Sequence, residues 1–461
     1  MRLLILLSLS LLFASAADAA SLPREVRQAL KQAGIPLDAV AVEVRAVGAR
    51  KPLISLNAGR AMNPASTMKL LTTYAALDLL GPAYTWKTEA WIDGELKNGV
   101  LHGDLVLKGY GDPKFTIEQF WLWLAELRAR GLREIRGDLV LDRSFFELPP
   151  HDPAAFDNDP ARAYNVGPDA LLLNFNTLRL RYLPEGDRLN VIAEPPLDGI
   201  RLDNRLVPRP VGGCDDWDDG IVVQPDGDSV VLQGGYPGEC GEREHNLSVM
   251  PHTRYVDAVF RSLWKELGGT LRGKQREGRA SSSAHLFATH RSEPMGSVIR
   301  DINKFSNNVM ARQLFLTLGA NGNASIERST QTVTDWLQKR GLDFPELVLE
   351  NGAGLSRRER ISAAHLAQLL QHAMIHPYSA ELQSSLPILG VDGSVKKRLK
   401  ESPAASHAHL KTGTLEGVKT LAGYVRSRRE EWVVVFFINH PNAKRGQAAQ
   451  DALVEWVHGW R

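Results

Sequence analysis

Three short strings carry side chains that could do covalent chemistry: Ser66-Thr67-Met68-Lys69, Ser306-Asn307-Asn308 and Lys411-Thr412-Gly413, in that order along a chain of 461 residues. A serine hydroxyl is a weak nucleophile until a base takes its proton. An amine can be that base only if its own pKa has been lowered. In Ser66-x-x-Lys69 the two groups share a helix face, one turn apart, if the segment is helical. The run from Leu70 to Leu80 is strongly helical in composition and stops at Gly81-Pro82. The spacing therefore predicts Ser66 at a helix N-terminus. Unpaired amides there favour negative charge on the serine oxygen and on a developing oxyanion. The same field disfavours an ammonium, so a desolvated Lys69 could act as general base near neutral pH.

The other two strings supply what remains of a serine acyl transfer. Pro294 to Leu318 has helical spacing through Val298, Ile302, Phe305 and Val309, and Ser306-Asn307-Asn308 interrupts it with residues that favour caps and turns. A plain break between two helices is one reading. The functional one puts the Ser306 hydroxyl beside Ser66 and Lys69 as a proton relay to the leaving group, with Asn308 bonding substrate amide and lysine. His407 to Leu410 reads as a strand leading into Lys411. On an edge strand, Lys411 offers a fixed positive charge, Thr412 and Thr414 offer hydroxyls to a carboxylate, and Gly413 lets a substrate backbone approach. The Thr414 and Ser66 amides could pair as an oxyanion hole. Ser394-Val395-Lys396-Lys397 repeats the Ser-x-x-Lys spacing between turns, without a helix start, and receives no role. A histidine triad is disfavoured, because Gly-x-Ser-x-Gly is absent and the 13 histidines are scattered.

These strings need a scaffold that brings distant segments together. Val40 to Val47 and Pro52 to Asn57 read as a β-hairpin; Leu421 to Arg426 and Trp432 to Ile438 are two more strands. Gly446 to Trp460 has helical spacing through Ala452, Trp456 and Trp460. Strands near both ends imply one sheet built from the two termini, with the middle inserted. In that middle, Gly103-Asp104-Leu105-Val106-Leu107 recurs as Gly137-Asp138-Leu139-Val140-Leu141, with a helical stretch, Ile117 to Arg130, between them. Two similar strands joined by a helix fit better than a repeat array. From Leu171 to Val249 the chain is rich in Pro, Gly and Asp with short alternating runs, a second and mainly β insert. Arg254 to Leu267 reads as a helix. The expected division is a signal over 1–20, a main domain over 21–90 and 280–461, an α/β insert over 91–169 and 250–279, and a β insert over 170–249.

Composition narrows the setting. Arg2, the apolar run Leu3 to Phe13 and Ala17-Asp18-Ala19 form an export signal, too short to span a bilayer comfortably. The expectation is a cleaved signal, no stable membrane span and an exported, periplasmic protein. Charge is balanced, 55 Lys+Arg against 53 Asp+Glu, so nothing supports a nucleic-acid partner. Cys214 and Cys240 are expected to form a disulfide in an oxidising compartment, contributing about 3 kcal/mol, with two unrelated buried thiols as the alternative. The acids of Asp215 to Asp219 miss the alternating positions of a calcium loop and read as a solvated turn.

Together the three strings resemble the signatures of penicillin-binding proteins and serine β-lactamases. The long stretch between the first and second is similar to that of the D-alanyl-D-alanine carboxypeptidase/endopeptidase family of low-molecular-mass (class C) penicillin-binding proteins, which carry two extra domains there. Gly109-Tyr110-Gly111-Asp112-Pro113, Asn351-Gly352-Ala353-Gly354-Leu355-Ser356-Arg357 and Ala422-Gly423-Tyr424 add to the resemblance. Asn351-Gly352-Ala353-Gly354 departs from the usual Asp-Gly-Ser-Gly, which bears on fine substrate preference.

The resemblance implies an α/β (α+β) fold: a penicillin-binding/serine β-lactamase-like domain with an antiparallel sheet flanked by helices, plus two smaller inserts. It implies a serine D,D-peptidase cutting D-Ala-D-Ala termini or D-amino-acid crosslinks of peptidoglycan. Ser66 would be acylated, Lys69 would take its proton, and Ser306 would pass one to the departing amine. Lys411, Thr412, Gly413 and Thr414 would hold the carboxylate and Asn308 the acyl chain. Peptidoglycan peptides would be substrates and β-lactams inhibitors, with no metal or cofactor. A β-lactamase is one rival, though no further base for fast deacylation is visible. A non-catalytic wall-binding protein is the other, against which intact Ser66 and Lys69 argue. The carboxypeptidase/endopeptidase balance and the oligomeric state stay open, a homodimer among the options.

Overall fold

The computed structural model describes residues 22–186, 188–209, 214–320 and 323–460. The expected signal, 1–20, lies outside them. A five-stranded antiparallel sheet draws on both ends of the chain: Ala408–Leu415, Val418–Arg426, Glu431–Asn439, Val40–Ala46 and Ile54–Leu56, in that spatial order. Val42 pairs with Phe436 across the junction of N- and C-terminal strands. The strand Glu431–Asn439 is apolar from Trp432 to Ile438 rather than alternating, and the packing gives the reason. One face, with Ala41, Val433, Val435 and Phe437, meets helices Lys69–Leu80, Met295–Lys304, Asn308–Leu318 and Ala363–Met374. The opposite face, with Val40, Val42, Val434, Phe436 and Ile438, meets helices Arg24–Gln32 and Gln447–His458. Each large apolar side chain so covered contributes roughly 1.5–3 kcal/mol relative to exposure.

The last helix departs from its expected face. Its buried stripe is Ala449, Leu453, Val454 and Val457, whereas Ala452, Trp456 and Trp460 are only partly covered. Trp456 and Trp460 pack on each other at the margin, ring centroids 4.4 Å apart. Indoles are bulky enough to shield an edge without entering the core, so the rings marked the wrong stripe.

Between the two halves lie two further regions. A seven-stranded sheet contains both Gly-Asp-Leu-Val-Leu strings: Val100–Gly109 and Leu139–Asp142 lie side by side and parallel, Leu105 against Leu139, with helix Ile117–Ala129 as the crossover. Lys87–Lys97 and His285–Arg291 pair in the same sheet. Helix His252–Glu266 packs beneath it through Val256, Val259, Phe260 and Leu263. The second region holds two three-stranded sheets, residues 178–247, around Leu178, Leu180, Tyr182, Leu232 and Tyr236. Cys214 and Cys240 form a disulfide there. Among the described residues no helix is long and apolar enough to cross a membrane.

Candidate active site

Ser66 sits in a one-turn 3-10 segment, Ala65–Met68, that runs directly into helix Lys69–Leu80, which ends at Gly81 as the composition indicated. The entry is tightly held. Ala65 adopts a left-handed φ of 44°, and its amide donates to Asn63 Oδ1 at 2.8 Å. The Pro64 carbonyl accepts from Thr67 Oγ1 and Thr420 Oγ1 at 2.6 and 2.7 Å. A non-glycine residue in that backbone region costs on the order of 1–2 kcal/mol, sustained here by the surrounding bonds.

Lys69 is fully buried, its Nζ 3.0 Å from Ser66 Oγ. It also donates to Asn308 Oδ1 at 2.7 Å and to the Ala353 carbonyl. Burial, followed by the nearby Lys411 charge, holds this amine well below its ordinary range, with Glu359 pulling the other way. A neutral Lys69 fits these contacts. A neutral amine has two N–H donors and one lone pair, and two of its three neighbours are oxygens that only accept. The donors go to Asn308 and Ala353, leaving the lone pair facing the Ser66 hydroxyl.

Ser306 occupies the turn between helices Met295–Lys304 and Asn308–Leu318, at a left-handed φ of 58°. Asn307 caps the second helix, its side chain accepting from the Met310 amide at 3.0 Å. Asn308 is that helix's first residue, so its side chain reaches Lys69 while Ser306 turns toward the edge strand. There Lys411 Nζ donates to Ser306 Oγ and to the Thr412 carbonyl, both at 2.8 Å. The three strings thus meet in two sets of contacts, Ser66 to Lys69 to Asn308 and Ser306 to Lys411, joined through the backbone of the 306–308 turn.

Lys411 differs from the fixed charge expected of it, because complete burial pushes its pKa down to about 7. Gly413 differs too. A Cβ there would lie 2.2 Å from Thr420 Oγ1 and 2.9 Å from Ala65 Cβ and the Pro64 carbonyl oxygen. The close approaches that require glycine are made by Thr420 on the neighbouring strand and by the Ser66 turn. Thr414 is exposed on the same strand, and Thr412 Oγ1 lies 2.7 Å from Ser394 Oγ.

Sequence reasoning missed Glu359. This buried carboxylate accepts from the amides of Glu350, Asn351 and Gly352 at 3.0, 2.9 and 3.0 Å, fixing the loop whose Ala353 carbonyl holds Lys69. Burial raises its pKa. A lone glutamate within Arg-Arg-Glu-Arg carries no signal of such a role. Arg312 was missed as well; buried, it donates to the Val166 carbonyl at 2.7 Å and adds to the field that lowers Lys69. The Asn-Gly-Ala-Gly departure leaves the lysine contact intact, since that contact is made by backbone. A cavity of about 1010 Å³, lined by Arg143, His151 and His252 among others, opens elsewhere and includes none of the residues of the three strings.

Comparison with known proteins gives a consistent set of similarities. The profile of the D-Ala-D-Ala carboxypeptidase 3 (S13) family matches residues 22–459. The chain is 28% identical over 394 residues to the D-alanyl-D-alanine carboxypeptidase DacB of Haemophilus influenzae, covering 83% of this chain and 81% of that one. It is 28% identical over 420 residues to the D-alanyl-D-alanine carboxypeptidase of Actinomadura sp. strain R39, covering 87% and 78%. The crystal structure of penicillin binding protein 4 (dacB) from H. influenzae superposes with a TM-score of 0.79 at 24% identity, over 94% of this chain and 99% of that one. The same protein complexed with a β-lactam gives 0.75 at 25% identity, over 95% and 100%.

Proposed function

The chain belongs to the D-Ala-D-Ala carboxypeptidase 3 (S13) family, and from that premise we propose that Ser66 is the nucleophile of its serine D,D-peptidase reaction. The protein is a serine-type D-Ala-D-Ala carboxypeptidase that acts on peptidoglycan peptides and is acylated by penicillin. One observation carries the residue assignment: a buried amine of lowered basicity, its N–H groups taken up by two acceptors, lies 3.0 Å from a serine oxygen at a helix start.

In this reading Lys69 takes the Ser66 proton as Oγ attacks the carbonyl between two D-alanines. The amides of Ser66 and Thr414 stabilise the oxyanion. The C–N bond breaks, and the proton that Lys69 took passes by way of the Ser306 hydroxyl, which gives one proton to the departing amine as it takes one up, so that both side chains end as they began. Water then cleaves the ester. Asn308 orients the acyl chain and the amine of Lys69 together, which its contact with Nζ supports. Lys411, Thr412 and Thr414 bind the terminal carboxylate, with Gly413 letting the strand close on the nucleophile turn. D-amino-acid crosslinks fit the same machinery, because they present the same acyl group.

The domain division belongs to this reading too. Sheet membership supports seams near residues 86 and 292 for the first insert, rather than 90 and 280. An exported, periplasmic setting fits the apolar N-terminal run and the disulfide.

Digestion of purified muropeptides, monomeric and crosslinked, with product masses read for wild type and Ser66→Ala, tests the assignment. Wild type is expected to release terminal alanine from monomers and Ser66→Ala is expected to release none. Release by the variant at the wild-type rate would refute it. Conversion of crosslinked dimers to monomers would add endopeptidase action.

A further inference from the structure

Ser394 received no role from the sequence, although it repeats the Ser-x-x-Lys spacing. Its lysine, Lys397, is exposed where Lys69 is buried, so it is no second nucleophile. Its position is nevertheless built from three sides. The segment 386–395 is bonded to the edge strand at one end: the Leu410 amide donates to the Pro387 carbonyl at 2.8 Å and the Leu389 amide to the Ala408 carbonyl at 3.0 Å. Buried Lys304, two residues before Ser306, donates to the Leu386 carbonyl at 3.0 Å and to Asp392 Oδ2 at 2.6 Å. Asp392 Oδ1 in turn accepts from the Ile388 amide at 2.8 Å. At Gly393 (φ 57°) a Cβ would stand 2.7 Å from the Lys304 carbonyl oxygen, so the loop is pressed against the backbone leading to Ser306. The loop therefore ties the Ser306 turn to the Lys411 strand. It delivers Ser394 Oγ to within 2.7 Å of Thr412 Oγ1, an exposed contact beside Lys411 on the edge strand.

We propose that Ser394 is a positioning residue for the substrate's terminal carboxylate, acting through the Thr412 hydroxyl; this rests on the peptidase reading above. A hydroxyl has one proton and two acceptor sites. If Ser394 donates to Thr412 Oγ1, the single Thr412 proton is left for the ligand, and it is the stronger donor for being polarised from behind. Without Ser394 the Thr412 hydroxyl rotates freely and has lost the partner that fixes its direction.

The test compares Ser394→Ala and Ser394→Thr with wild type on two acylating substrates: benzylpenicillin, which carries a carboxylate, and a neutral N-acyl-D-Ala thioester whose leaving group carries none. Ser394→Ala is expected to slow acylation by benzylpenicillin about tenfold, the scale of one hydrogen bond to a charged group. It raises KM for an acyl-D-Ala-D-Ala peptide by a similar factor while kcat changes little. The thioester reacts within about twofold of wild type, and Ser394→Thr, which keeps the hydroxyl, restores the penicillin rate. Equal losses on both substrates would mean a general structural role, and no loss on either would mean a spectator; each overturns the proposal. A wild type acylated by both substrates upholds the peptidase reading whatever the variants do. A wild type acylated by neither overturns both.

Discussion

Lys69 and Lys411 are two buried amines, one bonded to Asn308 and the other to Ser306, and the proposed reaction asks opposite protonation states of them. Lys69 must be neutral to accept the Ser66 proton, and burial lowers its pKa in that direction. Lys411 must be charged to attract a carboxylate, yet burial brings it down to about 7 in the free protein. The signs give a bell. Loss of the Lys69 proton contributes a rising limb, and loss of the Lys411 proton a falling one as pH climbs through about 7. Binding a carboxylate favours the charged lysine, so the falling limb belongs to kcat/KM and moves to higher pH in kcat. Measured pH profiles with a carboxylate-bearing peptide and with its neutral ester check this. The limb near 7 is expected with the first and absent with the second; a limb shared by both would assign it to another group.

The loop from Glu350 to Glu359 shows what an element contributes that no single reacting residue does. Three amides converge on one oxygen of Glu359, and the carbonyl they leave facing inward is the one that binds Lys69. Glu359→Ala would strand those donors in the interior, at about 1–3 kcal/mol for each unsatisfied group, and loosen the lysine. We expect a stability loss of at least about 3 kcal/mol by denaturant unfolding, with penicillin acylation slowed severalfold in the protein that remains folded. Glu359→Gln keeps an acceptor oxygen and should lose far less. Wild-type acylation by the alanine variant would contradict the role given to the loop. Elements of this kind were hard to read from sequence, because their signals are backbone contacts between segments far apart. The helices were easier. Leu70 to Leu80 and the interruption at Ser306 announce themselves by periodicity, glycine stops and capping residues, all local. The final helix was found but turned the wrong way, since its tryptophans lie at the margin of the core rather than within it.

Across the whole molecule, the readable feature was convergence. Strand patterns at both ends required one sheet, and Val40–Ala46 lies beside Glu431–Asn439 in it. That pairing carries the edge strand with Lys411 to the turn with Ser66, while the stretches between form sheets of their own. Side-chain chemistry marked Ser66, Lys69, Ser306, Asn308 and Lys411 because nucleophile, base and cation are recognisable by type. Spacing could not tell that Gly413 serves the packing of the Ser66 turn, nor that the burial of Lys411 makes its charge conditional. Those follow from how closely the folded segments approach. The most direct measurement is the mass of the protein after benzylpenicillin, with peptide mapping of the adduct. One acyl group on the peptide containing Ser66, absent in Ser66→Ala and formed far more slowly in Lys69→Ala, is the predicted result. An adduct mapped to another serine, or persisting in Ser66→Ala, would contradict it.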